Sequence, residues 1–173
     1  MRKLLSLTVL LLCFTSVYGQ LPREILKDTR GNIVATDTIS NNGKPVIISF
    51  FASWCKPCIR ELNAISENYD DWHKESGVRI IAVSIDEAQN TQKVKPLADG
   101  YSWNFDVLLD PNRDFSRAMN VHTIPHVFVI DGKGKTVYSR NGYTEGSEEI
   151  LYEKVLETVN HISRKAVPKE KQQ

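Results

Sequence analysis

Cysteine is scarce, with only Cys13, Cys55 and Cys58 in 173 residues. That scarcity excludes a disulfide-stapled scaffold, and without a second Cys-x-x-Cys a structural zinc site lacks its four donors. The histidines do not make up the deficit, because among His73, His122, His126 and His161 only His122 and His126 stand at a ligand-pair spacing. A surplus of one charge is also missing, with 22 basic against 21 acidic residues. No basic face for nucleic acid follows from that balance. Low-complexity tracts are absent, and 41% apolar with 25% charged residues is the make-up of one ordinary globular domain. No apolar run reaches the ~20 residues that comfortably span a bilayer.

A shorter apolar run is present at the start. Arg2-Lys3 precedes Leu4 to Leu12, and Val17-Tyr18-Gly19 then offers residues suited to signal peptidase. Residues 1–19 are therefore expected to be a signal peptide, with the mature chain starting at Gln20. The competing reading is an uncleaved anchor, the only case in which the protein would stay membrane-attached. Lipid modification at Cys13 is disfavoured by bulky Leu12 before it. Loss of Arg2 and Lys3 leaves 20 basic against 21 acidic residues. At the other end, residues 164–173 are polar and contain Pro168, and are expected to form a flexible tail.

Removing the leader leaves Cys55 and Cys58 as a single possible disulfide. A staple stabilises most when it closes a long loop, whereas this pair closes a very small ring, so a chemical role is favoured. The pair follows the apolar run Pro45 to Phe51 and precedes a stretch with Ile59, Leu62, Ile65 and Tyr69 at helical spacing. Two cysteines three apart at a helix start can close a disulfide within one turn, and the helix N-terminus favours a thiolate there. Pro57 fits the first turn, where its missing N–H costs nothing. Lys56 adds a positive charge close to the sulfurs.

The remaining pattern is that of an α/β domain. Ile25 to Ile39 reads as a hairpin around Asp28-Thr29-Arg30-Gly31-Asn32, and Pro45 to Phe51 as a central strand covered on both faces. Val78 to Ile85 repeats the buried pattern, so the helix between should be a crossover joining a parallel pair. A helix around Thr91 to Leu97, a strand at Asp106 to Leu109 and a short helix at Arg113 to Met119 follow. Strands at Val127 to Ile130 and Thr136 to Ser139 flank the turn Asp131-Gly132-Lys133-Gly134. A last helix, Ser147 to His161, is expected to turn Ile150, Leu151, Val155, Leu156 and Val159 to one side. Asp86, Asp110 and Asp131 read as turn and strand-end residues, and His122 as a loop surface residue.

Taken together, Phe50-Phe51-Ala52-Ser53-Trp54-Cys55-Lys56-Pro57-Cys58, Glu61, Leu108-Leu109-Asp110 and Thr123-Ile124-Pro125 with Asp131-Gly132 resemble the thioredoxin superfamily, within it the TlpA/ResA-like exported thiol-disulfide oxidoreductases. The resemblance covers about residues 22 to 162 and implies one domain over residues 20–163. It implies a thioredoxin-like three-layer α/β/α sandwich with a mixed central sheet, an N-terminal β-hairpin and an inserted strand–helix unit at about Arg79 to Asn104. Cys55 would be the exposed nucleophile and Cys58 the resolving thiol, with Lys56 and Pro57 tuning the redox couple. Pro125 would be cis, making Ile124-Pro125 a peptide-docking edge, with Trp54 as a substrate platform or a core wall.

Glu61 has two readings, a surface helix glutamate or a buried group that exchanges a proton with Cys58. The resemblance favours the second, since Ser49 stands where cytoplasmic thioredoxins carry a buried aspartate. His126 could face the cysteines, but a satisfied strand histidine is the preferred reading. No cofactor and no metal are implied. Partners would be protein or peptide disulfides and a membrane thiol-disulfide electron donor, and the compartment the periplasm. Reduction is the favoured direction, because Ile124 and the Lys-Pro dipeptide resemble reductases. A disulfide isomerase or oxidase would share every motif. A peroxiredoxin would need Pro-x3-Thr-x2-Cys, absent around Cys55, and a copper carrier of this fold usually has Cys-x3-Cys.

Overall fold

The computed structural model describes residues 21–166. The expected leader with Cys13, and residues 167–173 of the expected tail, lie outside the described residues. The hairpin strands are β1 (Ile25–Asp28) and β2 (Ile33–Ala35), followed by β3 (Val46–Phe51), α1 (Lys56–Ser76) and β4 (Arg79–Ser84). Then come α2 (Val94–Gly100), β5 (Asp106–Leu109), α3 (Asp114–Ala118), β6 (His126–Ile130), β7 (Thr136–Asn141) and α4 (Ser147–Ala166). The last turn of α4 thus enters the segment 164–173.

One sheet runs in the order β2-β1-β5-β4-β3-β6-β7. β3 pairs parallel with β4 and antiparallel with β6, which makes the sheet mixed. All six residues of β3 are buried. Both faces of β3 need cover, which explains a run with no polar alternation. The N-terminal hairpin is no separate appendage, because β1 pairs antiparallel with β5 and extends the sheet.

Alternation along β3 divides the core. Ile47 packs with Ile65 and Trp72 of α1 and with Leu151 and Val155 of α4. On the opposite face Phe50 meets Phe115 of α3, with ring centroids 5.4 Å apart. Trp72 stacks on Tyr152 at 4.6 Å, and the Tyr152 hydroxyl donates to Glu75 at 2.7 Å, docking α4 on α1. The Trp103 indole N–H donates to Asn63 of α1 at 2.8 Å while its ring meets Phe51, which fixes the chain leaving α2. Helices therefore cover both faces, giving the expected three layers.

Two expectations change in detail. Residues Ala88–Lys93 form a 3-10 segment and the α-helix begins only at Val94, later than the expected Thr91. Among the described residues of α4 the buried positions are Ser147, Leu151, Val155 and Thr158, whereas Ile150 is 49% exposed. The helix packs on β6 of the sheet and on α1, so its inward stripe is narrower than its apolar composition suggests.

Gly132 in the β6–β7 turn packs so close to Gly43 that a Cβ would lie 1.9 Å from the Gly43 carbonyl oxygen. β7 also carries a bulge: Val129 pairs with Tyr138 but Ile130 with Thr136, so Val137 is an extra residue.

Candidate active site

Helix α1 begins where β3 ends, and Cys55 is its N-cap with Pro57 in the first turn. Cys55 and Cys58 form a disulfide with their Cα atoms 5.3 Å apart. The Cys58 backbone N–H points at Cys55 Sγ, 3.3 Å away. A free N–H of the first turn aimed at this sulfur stabilises negative charge on it. Cys58 has no accessible surface and Cys55 is 5% exposed. Cys58 is the deeper of the two, as expected, but Cys55 is itself buried rather than the exposed nucleophile of the sequence reading. Trp54 next to it is 63% exposed, and Lys56 is exposed too.

Three connections hold the loop before Cys55. The Cys55 N–H bonds the Ala52 carbonyl at 3.0 Å. Asp86, 1% exposed at the end of β4, accepts from the Ser53 N–H and hydroxyl, both at 2.7 Å. The Ser84 hydroxyl donates to the same carboxylate at 2.8 Å. Asp86 is thus a loop anchor rather than a plain turn residue. Asp110 does similar work for α3, accepting from the Ser116 N–H at 2.8 Å.

The Ile124–Pro125 peptide bond is cis. Ile124 packs against the cluster that contains Cys55 and Cys58, and the Pro125 carbonyl accepts from the Gly142 N–H at 2.8 Å. His126 stacks on Phe128 at 4.5 Å and its Nε2 lies 2.8 Å from the Ser139 hydroxyl. Its Nδ1 is buried without a hydrogen-bond partner among the described residues, so this strand histidine is satisfied at one nitrogen only; burial lowers its pKa, with a smaller push from His122. His122 itself is exposed beside Asn120.

Glu61 is fully buried, one helical turn beyond Cys58. Its carboxylate pairs with Arg140 of β7 at 2.5 Å and accepts from the Ser49 hydroxyl of β3 at 3.4 Å. Burial pushes its pKa up from 4.5 to about 7, against the lowering pull of Arg140 and Ser49. A carboxyl poised there can take or give a proton at neutral pH.

The comparisons fit this arrangement. Residues 17–139 match the AhpC/TSA family. The thiol-disulfide oxidoreductase ResA of Bacillus thuringiensis strain Al Hakam is 30% identical over 147 residues, covering 85% of this chain and 76% of the relative. This chain belongs to the AhpC/TSA family, among the ResA-like thiol-disulfide oxidoreductases. The ResA of Bacillus subtilis is 33% identical over 116 residues, a match spanning 67% of this chain and 62% of that protein. The solution structure of a thioredoxin-like protein from Porphyromonas gingivalis superposes with a TM-score of 0.74 at 61% identity, covering 83% of this chain and 94% of that one.

For this ResA-like chain the motif residues Trp54, Cys55, Lys56, Pro57 and Cys58 lie together at the start of α1, with Ile124 packed against the cysteine cluster. Two participants escaped the sequence reading. Asp86 was visible only as a strand-end aspartate, although strand C-terminal ends are where α/β sheets build sites. Arg140 was missed because a lone arginine in an edge strand normally points to solvent. Its signal was the alternation in β7 that half-buries Tyr138 and Arg140 together.

Proposed function

We propose that this chain is an exported reductase of protein disulfides. The observation that carries the reading is Cys55 at the α1 N-cap with the Cys58 N–H aimed at its sulfur. The Cys55 thiolate attacks one sulfur of a partner disulfide, forming a mixed disulfide and releasing the partner's first thiolate, which takes up a proton. Cys58 then gives its proton to Glu61, and its thiolate attacks Cys55 Sγ. The Cys55–Cys58 disulfide forms and the partner's second sulfur leaves as a thiolate, which takes up a proton from water. Two electrons pass from the cysteine pair to the partner, whose two thiolates take their protons from solvent while the Cys58 proton stays on Glu61. Exposed Trp54 and the Ile124-Pro125 segment would form the docking edge for an extended peptide, and Lys56 and Pro57 would tune the couple.

Export rests on the leader reading of residues 1–19, and the resemblance to the exported TlpA/ResA-like group gives the periplasm as the working compartment. An oxidising compartment does not return electrons to the pair, so a membrane thiol-disulfide donor is the implied second partner. The direction is tested by the reduction potential of the Cys55/Cys58 couple, equilibrated against defined thiol/disulfide ratios. A value toward the thioredoxin end, about −270 mV, supports a reductase; one toward the DsbA end, about −120 mV, makes the protein an oxidase or isomerase. Cys58→Ser should accumulate mixed disulfides through Cys55 on non-reducing gels.

A further inference from the structure

A buried charge pair lies behind the cysteines. Ser49, Val127 and Arg140 stand in register across β3, β6 and β7. The strand phase therefore turns Ser49 and Arg140 to one face with Val127 between them, and both reach Glu61 of α1. The guanidinium is fixed from a third side by α4, since its Nη1 donates to the Ser147 hydroxyl.

We propose that Arg140 is the positioning residue of this site: it holds Glu61 beneath Cys58 and sets how readily that carboxylate takes the Cys58 proton. The inference rests on the reading of Glu61 as proton acceptor. A carboxyl with no accessible surface and no cation would stay protonated through neutral pH and could accept nothing. Arg140 supplies the compensating charge, and its side chain is only 16% exposed, so solvent screens the pair little.

The groups facing Glu61 come from every element packed on it. Ser49 of β3 donates to it, Arg140 of β7 pairs with it and Glu148 of α4 acts on it through its charge, while Cys58 stands one turn back on α1. The loop before α4 adds Tyr143, whose hydroxyl donates to Glu148. Glu148 opposes ionisation of Glu61, so Arg140 is the cation that offsets two acidic neighbours. Arg140 Nε and Glu148 Oε2 are both buried without a hydrogen-bond partner among the described residues, which leaves one donor and one acceptor free when Glu61 takes its proton. The step is a transfer from the Cys58 thiol to the Glu61 carboxylate, giving thiolate and carboxylic acid; the proton returns to Cys58 when the pair is next reduced.

The test is the pH profile of mixed-disulfide resolution, with glutathione disulfide as probe, across pH ~5 to ~9, alongside the Glu61 carboxyl midpoint by carbon NMR in the oxidised protein. Arg140→Gln should move the midpoint and the rising limb up by about one pH unit, slowing resolution about tenfold on that limb. Arg140→Lys should recover most of the shift, and Arg140→Gln should add nothing in a Glu61→Gln background. An unmoved midpoint in Arg140→Gln, with Glu61→Gln still abolishing the limb, overturns the role of Arg140 alone. A limb that survives Glu61→Gln overturns the proton-acceptor reading itself. If Arg140→Gln does not fold, Ser147→Ala, which releases one anchor of the guanidinium, should shift the midpoint in the same direction, and an unchanged midpoint there refutes the proposal.

Discussion

Glu61 should make the oxidised protein less stable as pH rises. The folded state keeps the Glu61 proton up to about pH 7, whereas an ordinary glutamate releases it near 4.5. Between those values the folded chain binds more protons than the unfolded chain, so stability is greatest below the lower value and falls through the window. At about 1.4 kcal/mol per pH unit, a displacement of this size is worth about 3 kcal/mol. Glu61→Gln keeps the shape of the side chain and removes the titration. Urea unfolding of both proteins at matched pH, with the disulfide intact, gives the difference directly. The variant should gain about 3 kcal/mol on the wild type between pH ~4.5 and ~8. His126 acts with the opposite sign, because its lowered pKa favours the folded state as pH rises. That contribution is common to both proteins and cancels in the difference. A difference curve flat to within about 0.5 kcal/mol would refute the argument, since Glu61 would then ionise as if solvated.

Asp86→Ala strands three donors, the Ser53 N–H and hydroxyl and the Ser84 hydroxyl. At about 1–3 kcal/mol for each buried group left unpaired, a loss of at least about 2 kcal/mol is expected in urea unfolding, with slower exchange at Cys55 from the loosened loop. Phe115→Ala empties the space between α3 and Phe50 and should cost about 3–5 kcal/mol, read from the same transition. Gly132→Ala drives a methyl group into the Gly43 carbonyl, and a cost of about 1–3 kcal/mol should appear as a lowered melting temperature.

Much of the architecture was legible because it rests on local pattern. Pro45 to Phe51 announced a strand covered on both faces, observed from Val46, and the expected bounds of β5, Asp106 to Leu109, are those observed. The Cys55–Pro57–Cys58 spacing located the start of α1. What could not be read is the pairing of groups far apart in the chain. Arg140 and Glu61 are 79 positions apart, and Ser53 and Asp86 are 33 apart. The alternation of β7 groups Arg140 with Tyr138, but only the pairing of β7 with β6 decides which face of that strand turns inward. Glu61 was suspected of burial, but its depth depends on α4 closing over that side. The exposed Ile150 is the converse case, an apolar residue left outside the α4 stripe of Leu151 and Val155 that packs on the core.

The bulge at Val137 gives the β6–β7 hairpin slack. In a regular ladder, one residue gained or lost in the turn would propagate along β7 and send Arg140 to the other face. With one unpaired residue between the turn and Tyr138, a change in turn length can be taken up before it reaches the ion pair. The turn is then free to diverge in length among descendants of this chain, while the arginine behind the cysteines keeps its phase.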